Sequence, residues 1–174
     1  MRILFGSAIL MVFLTVPMVH AEDMALSDRQ IQTIKANCVQ AQSSLKQLQL
    51  TEAATRNNRG RSYESISKLM TTLNGRIVLN KLTAPTLTAA SSDMEKRFTS
   101  FKNNYDSYYD SVTATIKLSC KDQPVTFYDS LTNVRELRAR VAQDIKSINE
   151  SLDAYQGGIN DELRAEVVAS RSSQ

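Results

Sequence analysis

The side chains able to do chemistry are few, and their spacing narrows them further. His20 is the only histidine, and it falls inside an N-terminal stretch that reads as a removable leader. A chain processed after Ala21 has no histidine, which excludes a Ser-His-Asp triad, a histidine general base and histidine metal sites. Cys38 and Cys120 are the only cysteines, 82 positions apart. They form no Cys-x-x-Cys redox motif and supply too few ligands for zinc. In an oxidising compartment the pair reads as one intramolecular disulfide, ahead of two free thiols or a bridge between chains. Closing so long a loop stabilises a chain by ~4 kcal/mol.

Arg56, Arg59 and Arg61, with Asn57 and Asn58 between them, form the one notable basic cluster. Such a cluster suits a phosphate, an anionic lipid or an acidic polymer. The plainer reading is a solvated polar waist, ion-paired to Asp106 or Asp110 of another helix. Phe98, Phe101, Tyr105 and Tyr108 recur at helical spacing and read as core rather than as a stacking platform. Tyr109 falls partly off that stripe and is the exposed aromatic candidate. The candidate ligand or partner contacts are therefore Arg56, Arg59, Arg61 and Tyr109. Arg135, Arg138 and Arg140 alternate with Glu136 and Asp144, as an ordinary exposed face does. Asn149-Glu150-Ser151 matches a glycosylation sequon. No Gly-rich phosphate loop, nucleophile elbow or Glu-x-x-His metal pair occurs. The reading is a non-enzyme with no cofactor and no metal.

Residues 1–21 have the form of a signal peptide. Arg2 is the positive start, Ile3 to Val16 the apolar run, and Val19-His20-Ala21 the small-x-small cleavage site. The alternative is an uncleaved anchor, although the run is short of the ~20 residues that span a bilayer. Against a formal charge of +3, from 21 basic and 18 acidic residues, removal of Arg2 leaves a small basic excess. That is too little for a nucleic-acid binder. Residues 22–169 read as one helical domain and 170–174 as a disordered tail.

The elements that must hold these residues are long helices. Ser27-x-x-Gln30 is a capping box. From it an apolar stripe runs through Ile31, Ile34, Cys38, Ala41, Leu45 and Leu48. The stripe fades at Glu52 and resumes as Ile66, Leu69, Leu73 and Ile77, supported by Tyr63 and Met70. One helix, continuous or kinked at Gly60, is expected over this stretch. Thr83 to Ser91 reads as an extended linker, because Pro85 expels Ala84 from helical geometry. Ser92-x-x-Glu95 reads as the box that opens a second helix, ending about Cys120. A third helix starts within Pro124 to Thr126 and carries Phe127, Leu131, Val134, Val141, Ile148 and Tyr155. Gly157-Gly158 stops or kinks it, before a last short helix.

The expected fold is all-α, an elongated antiparallel three-helix bundle or coiled coil with one disulfide. If the second helix starts at Ser92 after a tight turn, Cys120 falls opposite the middle fifties. That leaves it ~24 Å from Cys38. Bridging that gap calls for an extended linker running back along the first helix, or a break at Gly60. The expected function is that of an exported scaffold, periplasmic or extracellular, whose helix faces hold an envelope or surface protein or a second copy of the chain. A holdase-like chaperone or an anionic-ligand binder using Arg56, Arg59 and Arg61 is the alternative. No nucleic acid is expected, and membrane contact is at most peripheral.

Overall fold

A computed structural model describes residues 26–172. The signal peptide expected over 1–21 lies outside the described residues. Those residues are all-helical: α1 (Asp28–Ala36), α2 (Cys38–Leu79), α3 (Pro85–Lys117), α4 (Pro124–Gly158), a π-helical stretch (Ile159–Leu163) and α5 (Arg164–Ser172). No strand occurs among them.

The Ser27 capping box forms as expected. The Gln30 N–H donates to Ser27 Oγ, and the Ser27 N–H donates back to Gln30 Oε1 at 2.8 Å. The chain then breaks for one residue at Asn37, whose side-chain amide donates to the Thr33 carbonyl at 2.9 Å. From Cys38 the helix runs unbroken through Gly60 for 42 residues, ~63 Å at 1.5 Å per residue.

The segment expected as an extended linker is helix. Ala84 is non-helical, as a residue before proline should be, but Pro85 occupies the first turn of α3 rather than ending anything. The cap comes from far along the chain. Glu162 accepts the Thr86 N–H at 3.0 Å and also the Thr86 hydroxyl, while Glu166 accepts the Thr83 N–H at 3.3 Å. Two carboxylates therefore sit on the positive end of the α3 dipole. Ser92 lies inside the helix and caps nothing. The turn itself is tight. Leu82 N–H donates to the Ile77 carbonyl across Lys81, which takes a left-handed φ of 56°. This is the Schellman geometry in which glycine is usual.

Starting α3 at Pro85 adds two turns to the returning helix and resolves the disulfide. Gln42 donates to the Leu118 carbonyl (2.9 Å), Gln49 to Thr113 Oγ1 (2.7 Å), and Asn74 to the Leu87 carbonyl (3.5 Å). These pairs fix α2 and α3 antiparallel with Cys38 opposite Cys120. The bridge forms, with Cα atoms 5.5 Å apart. Neither an extended linker nor a break at Gly60 is used.

Helix α3 also runs antiparallel to α4. Asp93 accepts from the Ser151 hydroxyl (2.8 Å), Ser100 and Asn104 both donate to Asp144 (2.9 and 2.6 Å), and Thr115 meets Ser130 (2.6 Å). Hydrogen bonds from Arg97 and Ser151 hold the Asp93 carboxyl below its usual range. Buried residues recur every seventh position, as Leu87, Met94, Phe101, Tyr108 and Thr115 on α3 and Phe127, Val134, Val141, Ile148 and Tyr155 on α4. Helix α2 keeps the same period as Cys38 and Leu45, then as Tyr63, Met70 and Ile77. Glu52 continues the first series and Arg56 begins the second, so the stripe shifts by four residues there. That shift buries Met70 and leaves Leu69, expected in the stripe, 69% exposed.

Gly157-Gly158 does not stop the chain. Gly158 keeps helical dihedrals and the helix continues through the π stretch to Ser172, so residues 170–172 of the expected tail are helical. Gly158 is instead a point of close approach. A Cβ there would lie 2.9 Å from Leu87 Cδ2.

Candidate functional site

The four-residue shift on α2 brings charge inward, and α3 answers it. Glu52 accepts hydrogen bonds from the Tyr105 and Tyr108 hydroxyls, and Tyr105 also reaches the Glu52 carbonyl at 3.2 Å. Burial, reinforced by Glu52, pushes the Tyr105 phenol far up. The Tyr108 phenol rises to about 12 for the same leading cause, with the Glu52 charge adding to it. One turn on, Arg56 forms an ion pair with Asp106. Both side chains are about half-exposed, so the pair contributes little, ~0–1 kcal/mol.

The aromatic residues are core, as expected. Tyr63 meets Phe101 edge-on at 5.3 Å, Phe101 meets Tyr105 at 5.4 Å, and Tyr105 meets Tyr108 at 5.8 Å. Such contacts are worth ~0.5–1.5 kcal/mol each beyond area burial. Phe98 is only half-buried. One side of it touches Tyr63 at 6.2 Å, and the Lys102 ammonium lies 4.8 Å over its ring.

Phe98 opens onto the groove between α2 and α3. Two adjoining hollows, of about 1080 and 280 Å³, share Glu64, Phe98 and Lys102. The larger is bordered by Ser67, Thr71, Thr72 and Thr99, with Lys68 and Lys96 at its rim. The smaller is bordered by Arg56 and Arg61. Glu64 is held below its usual range by its hydrogen bond and charge contact with Lys68, with Lys102 adding to the effect from α3.

The sequence candidates thus divide. Arg56 and Arg61 face the groove, although Arg56 is committed to Asp106. Arg59 is exposed and close enough to Tyr105 to oppose its upward shift. Tyr109 is half-buried and lines neither hollow. Asp110 is exposed, and the Arg135, Arg138 and Arg140 face is exposed as expected. The sequon is poorly placed, since Asn149 lies within α4 and the Ser151 hydroxyl is buried against Asp93. Sequence reasoning missed Glu52, Glu64 and Phe98 as a set, and Lys96 and Lys102 with them. Their meeting depends on the α2/α3 register, which rests on the helical start at Pro85.

A second surface lies at the turn end of the molecule. Val78 and Leu79 are 73% and 82% exposed at the end of α2, and Val168 is 68% exposed on α5. Val168 also lines, with Ile159, Leu163 and Val167, an apolar hollow of about 380 Å³. No group of three or more His, Cys, Asp or Glu side chains among the described residues is placed to hold a metal ion. No helix among them is long and apolar enough to cross a membrane. Compared with protein-family models, curated proteins and solved structures, the chain matches none.

Proposed function

We propose that this protein is an exported, non-enzymatic helical scaffold. In this reading α2, α3 and α4 form an elongated antiparallel three-helix bundle that holds an envelope or surface protein, or a second copy of itself, through its helix faces. The observation that carries the proposal is the apolar turn end. Val78 and Leu79 are left in solvent at the end of α2, and Val168 is left in solvent on α5, where it lines the hollow with Ile159, Leu163 and Val167. Large aliphatic side chains left exposed at one end of a small protein favour an interaction site there. The disulfide supports export, because such bridges persist in oxidising compartments. It staples the opposite end and leaves the apolar end free.

Crosslinking in the native host, beside sedimentation of the purified chain, tests this reading. Val168→Asp and Leu79→Asp should abolish a defined crosslinked species or a self-associated state while leaving helicity unchanged. If both variants crosslink and sediment as the parent does, the turn end is not the docking surface. A second reading, an anionic-ligand binder or holdase, draws on the α2/α3 groove. Salt separates the two, since charge-held ligands dissociate steeply with ionic strength and packed apolar partners do not.

A further inference from the structure

We propose that the groove between α2 and α3 is a binding site for an acidic oligosaccharide, a linear glycan carrying carboxylates or sulfates. The inference deepens the second reading above by naming the ligand class, and it does not depend on docking at the turn end.

Three features of the groove carry it. The first is charge. Five cations, Arg56, Arg61, Lys68, Lys96 and Lys102, border the two hollows against two carboxylates, Glu64 and Glu95. Arg56 and Lys68 have ion-pair partners, whereas Arg61, Lys96 and Lys102 make no salt bridge among the described residues. Arg61 and Lys96 are thus open to an anion, and Lys102 can meet one by turning from its place over the Phe98 ring. The second is shape. From Arg56 to Thr72 the groove follows seventeen residues of α2, ~24 Å at 1.5 Å per step, which suits an extended chain rather than a compact ligand.

The third is the chemistry of the walls. Both walls are helices whose backbone groups are already paired, so no sheet edge is offered to a peptide strand. The larger hollow has no deep apolar socket for a peptide side chain. It presents the hydroxyl oxygens of Ser67, Thr71, Thr72 and Thr99, of which the three threonines donate to carbonyls one turn back and are left as acceptors, and one partly exposed ring, Phe98, with Lys102 over it. A sugar's hydroxyls donate to that rim, and its apolar face meets the Phe98 ring as Lys102 turns from the ring to the ligand's anionic group. Its carboxylate or sulfate groups then meet the lysines.

The test uses the disulfide-bonded chain and end-labelled oligogalacturonate, a heparin-derived hexasaccharide, polyglutamate of matched charge and a neutral glucan of matched length. Dissociation constants are read by fluorescence anisotropy at physiological salt. The expected result is saturable binding of at least one acidic glycan, at least tenfold tighter than polyglutamate or the neutral glucan. Lys96→Gln with Lys102→Gln should weaken it at least tenfold. Arg135→Gln with Arg140→Gln on α4 should leave it within twofold. These side chains are exposed, so circular dichroism should report unchanged helicity in both double variants. Equal binding of polyglutamate overturns the glycan assignment but leaves the anionic-ligand reading standing. No binding of any anion overturns both. Equal loss in the two double variants shows nonspecific charge attraction and overturns the site.

Discussion

Leu87→Ala decides whether residues 85–91 are core helix or linker. Leu87 has no exposed surface, and it lies so close to Gly158 that a Cβ on the glycine would stand 2.9 Å from its Cδ2 and 3.1 Å from its Cγ. Its neighbours are helical backbone on one side and Asn74, whose amide donates to the Leu87 carbonyl, on the other. A hole walled by two long helices collapses poorly. The loss therefore falls in the upper part of the range for buried leucines, about 3–4 kcal/mol. For a domain of this size each kcal/mol lowers Tm by ~2–4 °C, so a fall of about 10 °C is expected. Urea unfolding followed by circular dichroism should give a midpoint lower by about 2 M at an unchanged slope. Ala89→Ser, on the exposed side of the same turn, should stay within ~0.5 kcal/mol. A loss below ~1 kcal/mol at Leu87 would refute the packed register, and with it the reason that Cys38 faces Cys120.

Three further outcomes follow from the same geometry. Cys38→Ala with Cys120→Ala should cost about 4–5 kcal/mol by loop entropy, read as a urea midpoint shift that reducing agent reproduces in the parent, and a cost under ~1 kcal/mol would show that the hairpin needs no staple. Lys81→Gly should raise stability by ~0.5–1 kcal/mol in thermal unfolding, because Lys81 pays a left-handed strain that glycine does not, and a loss of stability would count against the Schellman turn. Tyr105 and Tyr108 have folded-state pKa values raised above the ordinary phenol value of ~10. Their contribution is fully present below that pH and is lost as pH rises through the raised values. Tyrosinate absorbance and loss of helicity should rise together above pH ~10, and independent titration of all six tyrosines at that pH with helicity intact would contradict the buried network.

What the sequence made legible is what is local or periodic. The Ser27 box, the Pro124 start, the aromatic core and the cysteine pairing all rest on short spacings or simple counts. Pro85 was misread because the same residue ends one helix and starts another, and the deciding cap is Glu162, 76 positions away. Gly157-Gly158 was misread because a glycine pair signals flexibility, whereas Gly158 serves close packing against Leu87. Leu69 and Met70 lie ~100° apart on a helix, so a stripe that pauses over a polar waist is ambiguous by one residue. The four-residue shift at Glu52 resolves that ambiguity, and it needs the partner helix to be seen. The groove was illegible for a related reason. Glu64, Phe98 and Lys102 each look ordinary, and only the α2/α3 register puts them together.

Glu52 therefore ties the interior to the candidate surface. An apolar residue would bury more comfortably at its position, yet Glu52 with Tyr105 and Tyr108 specifies one alignment of α2 on α3. Polar groups buried this way tend to secure register more than stability. The single change Glu52→Leu strands the Tyr108 hydroxyl, leaves Tyr105 only the backbone carbonyl of residue 52, and should cost about 1–3 kcal/mol. The triple change, adding Tyr105→Phe and Tyr108→Phe, removes the stranded and the weakened hydroxyl and should be more stable than the single one. Its α2/α3 alignment, no longer fixed by polar pairs at the waist, should show faster amide exchange between Glu52 and Tyr63. If the three changes instead add up, each costing its own share, the network is ordinary packing and the register is set elsewhere.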